Sequence, residues 1–304
     1  MATIAFSAVP GVEPVEQGEL TVDDGTRIPF QRFGRGSQVV VLANGIGVRW
    51  PGLAHQLAAL ADRASVLCWD YRGMGPSILG HPDADVSMAR QACDVLALLD
   101  YMDVERAVFM GWSMGVQVSL EVLRARPERV SGFVAILGAD GRPFRGAFPD
   151  AVAGTVEGLF AFALRHPYLA QGLLDLAVTV PEVAFRVLTA GVFVGRDADR
   201  SVFDGNVRWV AETDRRVYLR TMLALAEHDA RDVLGTVRCP SLIVCGTRDH
   251  LTPPSVGRRM AAAIPGAEYR ELAGGTHFAL IEQPARLNGW LREFLDRIGP
   301  DLRR

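Results

Sequence analysis

The 304-residue chain contains no lysine: all 32 of its basic residues are arginine. Without an ε-amine there is no Schiff base, which excludes pyridoxal phosphate and Schiff-base aldolase chemistry. A Walker A loop needs its lysine, so P-loop nucleotide hydrolysis is excluded in its usual form. Cysteine is scarce. Cys68, Cys93, Cys239 and Cys245 form no C-x-x-C pair. Cys68 and Cys245 lie in apolar strand-like runs, so the cysteines read as buried thiols of a reducing compartment, with no disulfide framework or zinc site. His-Glu-x-x-His and comparable metal-binding clusters are missing. So is a dinucleotide fingerprint, because Gly34-x-Gly36, Gly45-x-Gly47 and Gly73-x-Gly75 all lack the third glycine. No cofactor and no metal are implied. Residues 1–10 lack a charged region followed by a long apolar stretch, so no signal peptide is expected. No apolar run approaches membrane-spanning length. A cytoplasmic protein without a membrane span is the expectation. Net charge is −3, without basic runs, which makes nucleic acid an improbable partner. Oligomeric state is not legible.

What is present is an ordinary globular composition, 49% hydrophobic and 22% charged, at a length that holds a sizeable core. Residues 1–16 carry no pattern and read as a loose arm. Residues 19–22 and 27–33 flank Asp23-Asp24-Gly25, a turn signal, and read as a hairpin. Continuous apolar runs follow at 38–43, 64–69, 106–110 and 130–137. They read as strands buried on both faces. Helical patterns at about 52–61, 86–102 and 116–126 separate them. Strands alternating with helices at this spacing predict βαβ units and a mostly parallel α/β sheet. From 139 to 235 the alternation breaks into a helix-prone segment rich in Leu, Phe, Val and Ala. Strand and helix resume at 240–246, 254–264, 267–272 and 279–297. The organisation predicted is a core over 1–138 and 236–304, interrupted by a helical cap over 139–235.

The chemistry centres on Gly111-Trp112-Ser113-Met114-Gly115, between a strand and a helix. In that context a serine sits on a sharp turn, with its hydroxyl clear of the backbone at a sheet end. The helix that opens after Ser113 leaves N–H groups without intrahelical partners facing the same space. A serine hydroxyl needs a base, and histidine is the usual one near neutrality. Of the six histidines, His55 sits on a helix-type run, His81 and His166 precede prolines, His228 lies in a charged segment and His250 adjoins Asp249. His277, in a glycine-rich loop between a strand and the last helix, is the candidate. The orienting acid should follow a strand at the same sheet end. Asp249 does so and completes the order Ser…Asp…His; Asp140, after the strand at 130–137, is the rival. The loop after the strand at 38–43 offers the Ile46 N–H as an oxyanion donor, alongside Met114 N–H.

These features together resemble the α/β-hydrolase fold, over roughly residues 18–298. The signatures are the Gly45 loop, Asp70-x-Arg72-Gly73-x-Gly75-x-Ser77, Gly-x-Ser113-x-Gly, Gly246-x-x-Asp249, and the His277 loop followed by Glu282-Gln283-Pro284. The resemblance implies a serine hydrolase that cleaves an ester, lactone or thioester with an apolar portion through an acyl-enzyme. The same triad on this fold also serves C–C bond hydrolysis, enol-lactone opening and cofactor-free haloperoxidase chemistry. A non-catalytic ligand-binding receptor is the alternative of another class. Asp is the nucleophile in haloalkane dehalogenases and epoxide hydrolases, so Ser113 argues against both. The family often carries His-Gly before the first oxyanion residue where this chain has Asn44-Gly45, and a further glycine where it has Val116. Pocket candidates are Asn44, Trp112, Phe144, Phe160 and Trp209, with Phe148, Leu159, Phe162 and Tyr218 behind them. An apolar cap predicts uncharged substrates.

Overall fold

The computed structural model describes residues 13–147, 150–165, 185–186, 188–189 and 193–299. Eight strands form one sheet: β1 (Glu16–Thr21), β2 (Arg27–Phe33), β3 (Gln38–Ala43), β4 (Ala64–Trp69), β5 (Ala107–Trp112), β6 (Val130–Ile136), β7 (Ser241–Gly246) and β8 (Glu268–Leu272). Their order is β1-β2-β4-β3-β5-β6-β7-β8. β1 and β2 pair antiparallel, as do β2 and β4, and every later pair is parallel. The mostly parallel α/β sheet is therefore as expected. The first strand begins at Glu16, the last residue of the stretch expected to be a loose arm, of which residues 1–12 lie outside the described residues.

The continuous apolar runs have a direct structural reading. Val40, Leu42, Val108 and Met110 face one core, while Val41, Ala43 and Phe109 face a second one on the other side of the sheet. Strands covered on both faces have no solvent side, so they need no polar alternation. Helices α1 (Ala54–Leu60), α2 (Met88–Tyr101) and α3 (Met114–Ala125) connect the first parallel strands. A 3-10 turn, Trp50–Leu53, precedes α1 and carries Pro51 near its start, where the missing N–H is tolerated. The last helix differs from expectation. It is two, α10 (Ala279–Glu282) and α11 (Pro284–Ile298), because Pro284 stops one helix and starts the next.

Between β6 and β7 the described residues are helical: α4 (Pro143–Ala147), α5 (Asp150–Arg165), α6 (Arg200–Glu212), α7 (Arg215–Glu227) and α8 (Arg231–Leu234). Asp199 caps α6 by accepting from the Ser201 and Val202 N–H groups, and Asp214 caps α7 through Val217 N–H. The two ends of this stretch are pinned to each other. Arg142 N–H donates to His228 O at 2.7 Å, and Ala230 N–H to Asp140 O at 2.8 Å. Helix α9 (Pro254–Ala263) then packs on β7.

Beside the site, the Asp70-x-Arg72 signature is a buried electrostatic node. Arg72 is fully buried and forks onto both carboxylate oxygens of Asp94 at 2.7 and 2.8 Å, with Asp24 at 2.9 Å. Asp70 takes Arg49 Nε at 3.1 Å. Burial pushes the Asp70 carboxyl up to about 6, with Arg49 opposing it.

Candidate active site

β5 runs two residues further than its apolar pattern implies, to Trp112, and α3 starts at Met114, which leaves Ser113 alone to make the turn. Ser113 adopts φ 54° and ψ −117°, a strained backbone for a residue with a side chain. The surroundings hold it there. Ser113 N–H donates to Ile136 O of β6 at 3.1 Å. A Cβ on Gly111 would fall 2.4 Å from the Gly115 carbonyl carbon, and one on Gly115 only 2.1 Å from Ala43 O of β3. The two glycines are thus what lets β5, α3 and β3 approach closely enough to force the turn.

The loops after β7 and β8 bring two more side chains to it. A Cβ on Gly246 would lie 2.4 Å from Gly275 O, so these loops too are in close backbone contact. His277 Nε2 is 3.0 Å from Ser113 Oγ, and His277 Nδ1 is 2.9 Å from Asp249 Oδ2. Asp249 is 2% exposed and its other partners are all donors. Leu251 and Thr252 N–H reach Oδ1 at 2.8 and 2.9 Å, and Thr252 Oγ1 reaches Oδ2 at 2.6 Å. Burial works to raise the Asp249 carboxyl, but the facing His277 and the Thr252 bonds outweigh it and hold it below the usual carboxylate value. The carboxylate therefore stays ionised through the neutral range.

Three supporting residues were not given these roles by sequence reasoning. Thr252 completes the Asp249 acceptor set; the Asp-x-x-Thr spacing, in which a carboxylate can cap the N–H groups two and three residues on, was the available signal. Glu282 accepts from Thr276 N–H at 3.0 Å and from the Thr276 hydroxyl, and also from Gly195 N–H at 2.6 Å, tying the His277 loop to the stretch that precedes α6. Trp112 Nε1–H donates to His277 O at 3.2 Å, so it supports the histidine loop as well as lining the site.

A cavity of about 470 Å³ opens over Ser113 and His277. Ile46, Trp112 and Phe144 line it, with Phe203, Val207, Val210, Met222 and Leu225 from the helical stretch. No Asp, Glu or Arg is among the described lining residues. Met114 N–H stands at the first turn of α3, and Ile46 N–H in the loop after β3. Among the described residues neither donates a hydrogen bond within the protein.

Two pocket candidates do not line the cavity. Asn44 is 1% exposed and turned into the core, where its Nδ2 reaches Trp69 O at 3.4 Å and its backbone carbonyl accepts from the Tyr71 hydroxyl at 2.9 Å. Trp209 is buried on the other flank of α6, since the cavity face of that helix is set by Phe203, Asn206, Val207 and Val210. The Phe160 and Leu159 side chains lie outside the described residues, as do Phe148 and His166. Phe162 is exposed.

The rival acid is engaged elsewhere: Asp140 is fully buried and forks onto Arg259 at 2.6 and 3.1 Å. The other histidines are likewise accounted for. His55 meets Asp199 at 2.9 Å, His228 sits between Gln117 and Glu121, and His81 and His250 are exposed. Among the described residues no cluster of three or more His, Cys, Asp or Glu is arranged to hold a metal ion. None of the described helices is long and apolar enough to cross a membrane.

Comparison with known proteins gives the family. Residues 38–284 match the sequence model of the α/β hydrolase fold. Among curated relatives, a putative carbamate hydrolase RutD of Pseudomonas syringae is 28% identical over 256 residues, covering 84% of this chain and 93% of the relative. Among solved structures, the enol-lactonase from Burkholderia xenovorans LB400 is 25% identical with a TM-score of 0.72, covering 92% of this chain and 100% of its own. The bromoperoxidase from Bacillus anthracis has a TM-score of 0.78 over 92% of this chain and 100% of its own; at 22% identity it speaks to fold alone. A family match across most of the chain, and an eight-stranded sheet that carries the expected motifs at its strand ends, agree: the chain belongs to the α/β-hydrolase fold family of enzymes.

Proposed function

We propose that the protein is a serine hydrolase that cleaves an uncharged carboxylic ester or lactone with an apolar portion through an acyl-enzyme. One observation carries the reading: the unbroken hydrogen-bonded chain Ser113–His277–Asp249, opening onto an apolar cavity. Ser113 Oγ attacks the carbonyl carbon as its proton passes to His277 Nε2. Asp249 holds the Nδ1–H tautomer beforehand and stabilises the imidazolium afterwards. The oxyanion takes the Ile46 and Met114 N–H groups, which have no other acceptor among the described residues, and one such donor is worth on the order of a hundredfold or more in rate. His277 then protonates the departing alcohol, and water repeats the sequence on the acyl-enzyme.

Residues 139–235 act as the cap in this scheme, closing an apolar wall over the site. The uncharged lining makes anionic substrates unfavourable, because a carboxylate taken into the cavity loses its water and gains no cation. That argues against the C–C hydrolysis of acidic diketones. The name of the RutD relative adds carbamates to the substrates worth assay.

A fluorophosphonate probe tests the reading. The wild type should be labelled and Ser113→Ala should not, and neutral p-nitrophenyl esters should turn over faster than a p-nitrophenyl hemisuccinate. A wild-type protein that resists labelling would overturn the serine-hydrolase assignment.

A further inference from the structure

The cavity wall is apolar except at a few points, and most of these are already committed. Ser113, His277 and Thr252 belong to the hydrogen-bonded chain, and Trp112 Nε1–H is held by the His277 carbonyl. Two neutral polar side chains remain. Tyr218, on α7, is half-buried in the cavity wall, and its hydroxyl makes no hydrogen bond among the described residues. Burial pushes its phenol up to about 12, so it stays a neutral donor at any working pH. Asn206, on α6, lines the same cavity at 4% exposure, and neither its Nδ2 nor its Oδ1 is paired. Buried polar groups are nearly always satisfied, so the unpartnered Asn206 amide needs a reason, and the half-buried Tyr218 hydroxyl is a second uncommitted group in the same wall.

Their positions supply it. The Tyr218 ring edge packs over Gly47, where an added Cβ would meet it at 3.0 Å, directly after the oxyanion candidate Ile46. Val210 packs on Gly47 as well, and Asn206 lies one helical turn before it, against Gly52. The two groups therefore flank one strip of wall that begins beside the reacting carbonyl. Structural use would have paired them with each other or with backbone. A bound molecule with its own hydrogen-bonding atoms is the partner they lack.

We infer that Tyr218 and Asn206 form a polar subsite that recognises a neutral carbonyl or amide of the substrate, several bonds away from the scissile carbonyl. This rests on the serine-hydrolase reading and narrows it: the substrate is not a plain hydrocarbon ester but one that carries a second, uncharged polar function. Sites that present such groups reject analogues that lack the matching atom, because the protein groups then stay unpaired.

Two isosteric pairs test it: p-nitrophenyl 4-acetamidobutanoate against p-nitrophenyl heptanoate, which places the amide in the acyl group, and 4-acetamidobutyl butyrate against heptyl butyrate, which places it in the alcohol. The readout is the ratio of kcat/KM within a pair, corrected for the uncatalysed hydrolysis of each ester. In at least one pair the wild type should favour the amide ester, and Tyr218→Phe and Asn206→Leu should each lower that ratio by about tenfold, one hydrogen bond's worth. Ratios at or below one in both pairs, or ratios that neither variant moves, overturn the subsite while turnover of the hydrocarbon esters upholds the hydrolase. If no ester turns over and no fluorophosphonate label appears, the underlying reading falls and the subsite with it.

Discussion

Replacing Asp249 by Asn tests the site with almost no change of shape. All four acceptor directions of the carboxylate are filled: Oδ1 takes two backbone N–H groups and Oδ2 takes Thr252 Oγ1 and His277 Nδ1. In Asp249→Asn the amide NH2 cannot face two N–H donors, so the amide oxygen must stay at the Oδ1 position. The NH2 then points at His277 Nδ1, which has to become an acceptor. The ring proton moves to Nε2, the atom 3.0 Å from Ser113 Oγ. A protonated Nε2 cannot take the serine proton, and the imidazolium also loses its counter-charge. The expected loss is about ten-thousandfold in kcat, or ~5.5 kcal/mol of transition-state stabilisation. Steady-state kinetics on p-nitrophenyl acetate reads it, with circular dichroism to show that the fold persists. Asp140→Asn is the matched control. It leaves Arg259, half exposed, free to be solvated, and kcat should stay within about threefold of wild type. A folded Asp249→Asn protein with kcat within tenfold of wild type would refute the orienting role, and a collapse of kcat in Asp140→Asn instead would transfer it.

Two further outcomes follow from geometry and burial. Gly115→Ala drives a methyl to within 2.1 Å of Ala43 O, so α3 must lift from β3; a loss of about 1–3 kcal/mol or more in urea unfolding is expected, and an unchanged midpoint would show that the close approach is not needed. Asp70 concerns pH. Its carboxyl is pushed up to about 6 in the folded protein by burial, against an ordinary value near 4, so the folded state holds its proton more tightly. Its contribution is fully present below the unfolded value and is lost as pH rises through about 6. The stability of wild type relative to Asp70→Asn should therefore fall by on the order of 2–3 kcal/mol between pH 4 and pH 7; a difference that is flat or rises with pH over that window would contradict the buried, raised carboxyl.

The core was readable because its constraints act on residue types locally. Strands β3 to β7 are covered on both faces, and continuous apolar runs are the direct consequence. Gly111 and Gly115 were legible because the turn at Ser113 tolerates nothing larger there. Asp249 and Asp140 were harder to separate. Both follow strands, and only the folded chain brings Arg259 to one and His277 to the other. Glu282 escaped assignment for the same reason, since it joins Thr276 to Gly195 from a separate stretch; Thr252 acts within the Asp249 loop, where the Asp-x-x-Thr spacing was a local signal.

The pocket illustrates a sharper limit, and one that bears on function. Aromatic size selected Trp209 and Phe144 from the helical stretch, but size does not say which way a helix faces. On α6 the cavity side runs through Phe203, Asn206, Val207 and Val210, so Trp209 belongs to the packing on the opposite flank. The residue types that distinguish this cavity from a core are not its large apolar ones, which serve both purposes equally well. They are its polar side chains: Asn206, whose buried amide has no partner, and Tyr218, whose half-buried hydroxyl makes no hydrogen bond among the described residues. On the proposed reading, chemistry resides at the strand ends, where backbone approach dictates glycine, serine and aspartate. On the same reading, selectivity resides in the rotational setting of α6 and α7, which places Asn206 and not Trp209 in the cavity wall. Relatives that share the strand-end motifs can therefore differ in substrate while keeping one mechanism, which is why the name of a relative 28% identical to this chain points to a candidate substrate and not to an assignment.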